Sequence, residues 1–334
     1  MNKKIVMVLI AAFVLGLAFS ANAATIKALK VKGNIPTDPT DPFWSNYGPT
    51  KGKHVVVDMD PQMMTNPMWP NPSTKWVNVK AANNGKEIAV RLEWTDPTRN
   101  DIMVRSQQYK DQAAIMFPVN QSGEEPPFTM GGDGERVNIW QWKATWNREA
   151  AGSGGNGSMA DMEDVYKNMA VGSGGYYMYE PDGNLQMKAA LKPGMSGSKD
   201  QRGKGNVHTG GVQDISKRGT YVDFGMGKNE GVYNPGRATH NILSDASMRR
   251  SPVEDLNAEG FSTLTTQAHQ DVDGEGNWNN NRWAVVFKRA LKTNDSNDTQ
   301  FSGGKAPMAI AIWNGGNKER NGQKAVTSWN TLQY

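Results

Sequence analysis

The sequence predicts a mainly β protein: an antiparallel β-sandwich with a long loop-rich insertion and a few short helices. Several runs alternate apolar and polar residues with a period of two, Gly, Asn and Pro clusters separate them, and helical patterns are scarce. Many short strands joined by such turns favour two packed antiparallel sheets.

The N-terminus comes first in the chain and sets the expected compartment. Met1 to Lys4 give a short basic start, Ile5 to Phe19 are almost uninterruptedly apolar, and Ala21-Asn22-Ala23 places small residues where a signal peptidase reads. Residues 1–23 are therefore expected to be a secretory signal peptide, cleaved before Ala24, and the protein to be periplasmic. Residues 24–334 are expected to form one domain.

Strands are expected at His54 to Met59, across "KWVNVKA" and the run from Glu87 to Trp94, and at Ala113 to Val119, Val137 to Ala144, Arg282 to Leu291 and Ala306 to Trp313. "NNGK", Asn83 to Lys86, supplies a hairpin turn. "APMAIAIW" is apolar on both faces and so belongs inside a sheet. Helices are expected over Met159 to Ala170 and over Ser251 to Glu259, where an N-cap serine precedes a proline and two acids. From about Asn147 to Arg250 the chain is rich in Gly, Ser, Asn and Lys with little periodicity, which marks an insertion.

Composition excludes several functions. The formal charge of +4 includes Lys3 and Lys4, so the processed chain carries only about +2, too balanced for a nucleic-acid binder. No apolar stretch after the first 23 residues approaches the roughly 20 residues needed to cross a bilayer. Without cysteine there is no disulfide, no thiol nucleophile, no covalently attached c-type haem and no cysteine-held iron–sulfur cluster. His54, His208, His240 and His269 stand isolated, with no metal-ligand spacing. Phosphate-binding and hydrolase motifs are missing. "DVDGEG" at Asp271 begins like a calcium loop, but its twelfth position is Arg282, so a polar hairpin turn is expected there.

One stretch stands out: "PFTMGGDGERVNIWQWKATW", Pro127 to Trp146, sets a methionine beside glycines and ahead of three tryptophans. Glycines at 131 and 132 would let backbone approach a flat cofactor, and Trp140, Trp142 and Trp146 could wall it. Met116 in "DQAAIMFP" is the competing sulfur.

"DQAAIMFP", "PFTMGG" with "VNIWQWKA", "AEGFSTLTTQ", "GNWNNNRWAVVFKRAL" and "MAIAIWNGGNKERNGQKAV" together resemble the haem-b-binding γ subunits of the ethylbenzene dehydrogenase, selenate, chlorate and dimethyl sulfide dehydrogenase group. The resemblance covers about residues 85–146 and 256–330, and its specificity lies in the order of the motifs. The long insertion is most similar to the nitrite oxidoreductase γ subunit.

This resemblance implies one non-covalent haem b held between a methionine and a lysine. The matching residues are Met130 and Lys324, with Lys318, Lys288 and Lys143 as alternatives for the second. A thioether paired with an amine would fill both axial positions and leave electron transfer as the chemistry. Freeing a lysine of its proton at pH 7 costs about 4.6 kcal/mol from its usual pKa, so an apolar pocket is required. Lys143 and Arg320 could meet the haem propionates. The implied partners are a molybdenum-containing α subunit, an iron–sulfur β subunit and a soluble c-type cytochrome. The alternative is a secreted carbohydrate-binding module, its 11 tryptophans serving as stacking platforms.

Overall fold

The computed structural model describes residues 23–45, 54–103, 105–121, 123–152, 177–179, 185–187, 242–243 and 251–334. The expected signal peptide, the expected helix at Met159 to Ala170, most of the insertion, His208 and His240 lie outside these. No helix among the described residues is long and apolar enough to cross a membrane.

The described chain is dominated by strands. The first half contributes β1 (Thr25–Lys27), β2 (Leu29–Lys30), β3 (Val55–Asp58), β4 (Asp60–Pro61), β5 (Trp76–Asn83), β6 (Glu87–Thr95), β7 (Gln112–Pro118) and β8 (Val137–Lys143). A separate hairpin pairs β9 (Tyr177–Tyr179) with β10 (Leu185–Met187). The C-terminal part adds β11 (Val253–Ala258), β12 (Thr265–Thr266), β13 (Asp273–Asn279), β14 (Arg282–Ala290), β15 (Lys305–Trp313), β16 (Ala325–Val326) and β17 (Asn330–Gln333). Short helices occupy Pro42–Ser45 and Ala144–Gly152.

Two sheets face each other. A nine-stranded sheet runs β1-β17-β15-β7-β8-β11-β12, with β16 on β15 and β4 on β16; a six-stranded sheet runs β13-β14-β6-β5-β2, with β3 on β5. Pairing is antiparallel except for β1 with β17 and β2 with β5. These exceptions arise where the N-terminal segment steps from one sheet to the other: Ala28 N–H donates to Gln333 and Val31 N–H to Asn83. As its apolar run predicts, β15 lies inside its sheet, with β7 on one edge and β17 and then β16 along the other.

Period-two alternation builds the core between the sheets. Val79, Val90, Leu92 and Trp94 of one sheet meet Ile115, Phe117, Trp140, Trp142 and Ile312 of the other. Each large side chain fully buried there contributes roughly 1.5–3 kcal/mol. Trp142 packs edge-on against Trp283 across the gap, ring centres 4.8 Å apart. Gly276 makes this possible, since a Cβ there would stand 2.4 Å from the Trp142 ring.

Two expectations are overturned. Ser251 to Glu259 is not a helix: β11 pairs with β8 over six residues. Its acids are drawn into that ladder, because Glu254 pairs with Lys143 and Asp255 accepts from Asn138, so tertiary partners outweigh the local cap pattern. "DVDGEG" is not a turn but the start of β13; the reversal falls at Asn280 and Asn281, both with positive φ.

The six-stranded sheet's other face is also covered. Ile35 and Trp44 pack onto Ala82, Ala89 and Val286. Lys80 donates to the Trp44 carbonyl at 2.7 Å, and Lys288 to that of Ile35 at 3.2 Å.

Candidate cofactor site

The outer face of the nine-stranded sheet carries a cavity of about 1150 Å³. Strand register arranges its floor in three rows. The first is Ala309, Met116, Ile139 and Leu256; the second is Ala311, Ala114, Gln141 and Glu254; the third is Trp313, Gln112 and Lys143. Alanines take positions where larger side chains would fill the space, while Trp313 and Trp329 pack beside them. Phe128, Met64, Phe261 and Leu264, all exposed, stand around the mouth.

Met130 and Lys324 both line this cavity. Met130 sits at φ 75°, a left-handed conformation that methionine rarely adopts. The surrounding hydrogen bonds hold it there: Gly131 N–H donates to Pro127 and Gly260 N–H to the Met130 carbonyl, both at 2.8 Å. Such an imposed backbone is the kind of local strain found at functional sites. Gly131 serves the chain's own packing and not a cofactor, since a Cβ there would stand 2.4 Å from the Glu135 carbonyl.

Lys324 precedes β16 and stands 4.9 Å from the centre of the Trp313 ring. It is half-buried, and desolvation lowers its amine from 10.5 to about 8. Two contacts that the sequence does not signal hold this end of the site together. Gln62 donates to the Gly322 carbonyl at 2.9 Å, two residues before Lys324, and Trp329 donates to Pro126 at 2.7 Å, on the approach to Met130.

The other expected residues separate. Met116 lies on the floor, and Lys143 is present but ion-paired with Glu254. Lys288 belongs to the opposite sheet, and Lys318 caps the turn at Gly315–Asn317 with φ 60°. Arg320 lies over the Tyr109 ring, outside the lining. The tryptophan walls are corrected: Trp140 and Trp142 point into the core, because alternation sends Ile139, Gln141 and Lys143 to the cavity instead. Trp146 likewise lies outside the lining, beneath the Lys143 ammonium.

No group of three or more His, Cys, Asp or Glu among the described residues could hold a metal ion, and His54 and His269 are exposed. The cavity exceeds the roughly 300–1,000 Å³ of ordinary ligand pockets. A soft sulfur and a desolvated amine over a small-residue floor fit a large flat group that brings its own metal better than they fit a bare ion.

Residues 41–325 match the sequence profile of the family described as ethylbenzene dehydrogenase. The chain belongs to the ethylbenzene dehydrogenase family. Among individual relatives, a protein named as a respiratory nitrate reductase heme subunit of Haloferax mediterranei is 30% identical over 38% of this chain and 44% of its own length. The dimethylsulfide dehydrogenase subunit gamma of Rhodovulum sulfidophilum is 30% identical over 42% and 55%, and the chlorate reductase subunit gamma of Ideonella dechloratans 38% identical over 25% and 35%. The matches thus span about half or less of each relative. A family 9 carbohydrate binding module of Caldicellulosiruptor kristjanssonii in complex with cellotriose aligns over 92% of both chains at 8% identity, with a TM-score of 0.33.

Proposed function

We propose that this family member is an electron-transfer subunit carrying one non-covalent haem b, with Met130 and Lys324 as axial ligands. Its exchange would run between the iron–sulfur subunit of a periplasmic molybdenum oxidoreductase, nitrite oxidoreductase-like, and a soluble c-type cytochrome. The observation that carries this reading is that the two residues the family resemblance selects, far apart in sequence, line one large apolar cavity. The relatives' names, a heme subunit and two gamma subunits, support it.

Bound haem supplies a one-electron couple. Everything else is asked of the chain. With its pKa near 8, Lys324 gives up its proton at pH 7 for about 1.4 kcal/mol, against about 4.6 for a solvated lysine. Met130 offers a sulfur on a backbone that is already fixed, so the ordering left to be lost on binding is that of its side chain. Two protein ligands leave no position open for substrate, so molybdenum chemistry would belong to the α subunit.

The carbohydrate alternative asks for exposed stacking faces, and of the eleven tryptophans eight are buried, Trp69 and Trp278 are half-buried and Trp76 is exposed. The test is a spectrum. The purified chain should show a Soret band whose haem leaves in acidic organic solvent, and Met130→Ala and Lys324→Ala should each shift that spectrum and the midpoint potential. Unchanged spectra and potentials in both variants would refute the ligand pair.

A further inference from the structure

Resting on the haem reading, we propose that the macrocycle lies with its carboxylate edge over the third row of the floor, held by Lys143 and Lys110, and that Glu254 is the positioning residue for Lys143. Haem is one-sided: a flat apolar body carries two propionates on one edge. A carboxylate taken from water without a cation or donor is strongly penalised, so the propionates must find one.

The cavity is one-sided in the same sense. The first row, Ala309, Met116, Ile139 and Leu256, has no side chain able to pair with an anion. Polarity grows along the strands from there: Gln141 and Glu254 stand in the second row and Gln112 and Lys143 in the third, with Gln141 donating to Gln112 at 2.9 Å. Lys110, two residues before Gln112, reaches the cavity from the same end. With Lys324 given to iron, Lys110 and Lys143 are the remaining cations of the described lining.

Lys143 is built into place. Its ammonium is buried in an ion pair with Glu254, and the other oxygen of Glu254 accepts from Thr266 at 2.6 Å. A lysine held this way presents its charge to an incoming carboxylate with little rotamer freedom left to lose. Glu254 also compensates that charge in the cofactor-free chain, so the site does not depend on haem to exist. The same pairing makes Lys143 a propionate partner and not an iron ligand.

The full chain should be titrated with iron protoporphyrin IX and with its dimethyl ester, which keeps the ring and iron but lacks both charges, following the Soret band. The parent should prefer the diacid by about tenfold or more, the scale of a charge-assisted hydrogen bond. Lys143→Met should cut the preference at least threefold and Lys143→Met with Lys110→Met should bring the two within about twofold, while Glu254→Gln, whose lost negative charge would by itself favour the diacid, should instead shrink the preference because Lys143 is no longer held. Lys324→Ala should alter the spectrum yet keep the preference. Equal binding of both compounds by the parent, or an intact preference in Lys143→Met, overturns the proposal even if haem binds. Binding of neither overturns the haem reading along with it.

Discussion

Each sheet turns one face away from the shared core, and the chain treats those two faces in opposite ways. Over the six-stranded sheet, residues 31–45 lie down as a cover: Ile35 and Trp44 fill the surface, and the lysines there, Lys80 and Lys288, donate to the cover's own carbonyls. Over the nine-stranded sheet, alanines and a graded set of polar side chains leave about 1150 Å³ open, with Lys324 at its side. On the closed face the lysines fasten the cover, whereas over the open face Lys143 is fastened to Glu254 of its own sheet and Lys324, just before β16, lines the cavity with a desolvated amine.

The largest break in this contrast should come from Trp44→Ala, which uncovers the closed face. Loss of a fully buried tryptophan is expected to cost about 3–5 kcal/mol, read as a lower urea midpoint, while haem affinity stays as in the parent. Next come the lysines themselves. In the cofactor-free chain Lys324→Met should be more stable than the parent at pH 7 by on the order of 1 kcal/mol, since a desolvated ammonium is removed. The folded pKa of about 8 lies below the unfolded value near 10.4, so the folded parent binds fewer protons between them and gains stability as pH rises through that window. The advantage of the variant should therefore shrink above pH 8 and vanish above about pH 10.4; a constant difference in urea midpoints from pH 6 to 11 would contradict it.

Lys288→Met points the other way, losing about 1 kcal/mol because the Ile35 carbonyl is left without its donor. The smallest effect on folding should be that of Ala311→Leu. It grows into open space, so stability should stay within about 0.5 kcal/mol, yet haem content per chain should collapse because the floor is filled. Full haem loading in that variant would mean that the cofactor does not rest on the second row.

Much of the scaffold was legible because alternation is a local signal. The strand at Glu87–Thr95 and its turn at Gly85 follow from neighbours in sequence, as does the interior position of Lys305–Trp313. Parity, however, says which residues share a face and not which face is the core. Trp140 and Trp142 were therefore assigned to the wrong side of their strand, although their separation from Ile139 and Gln141 was readable. Ser251–Glu259 failed for a different reason: its helix cap is a property of nine residues, whereas its strand depends on Lys143 and Asn138, more than a hundred positions away. Met130 and Lys324 came from the family resemblance, and nothing local in either stretch shows that they share a cavity. The loop around Gln62 carried no sequence signal at all.

That loop has a further consequence. One amide joins Gln62 to Gly322 across 260 positions, and one indole joins Trp329 to Pro126 across 203. The two flanks of the cavity are thus set only when segments more than 200 positions apart have met, so its width is a property of the finished tertiary structure and not of any local stretch of chain.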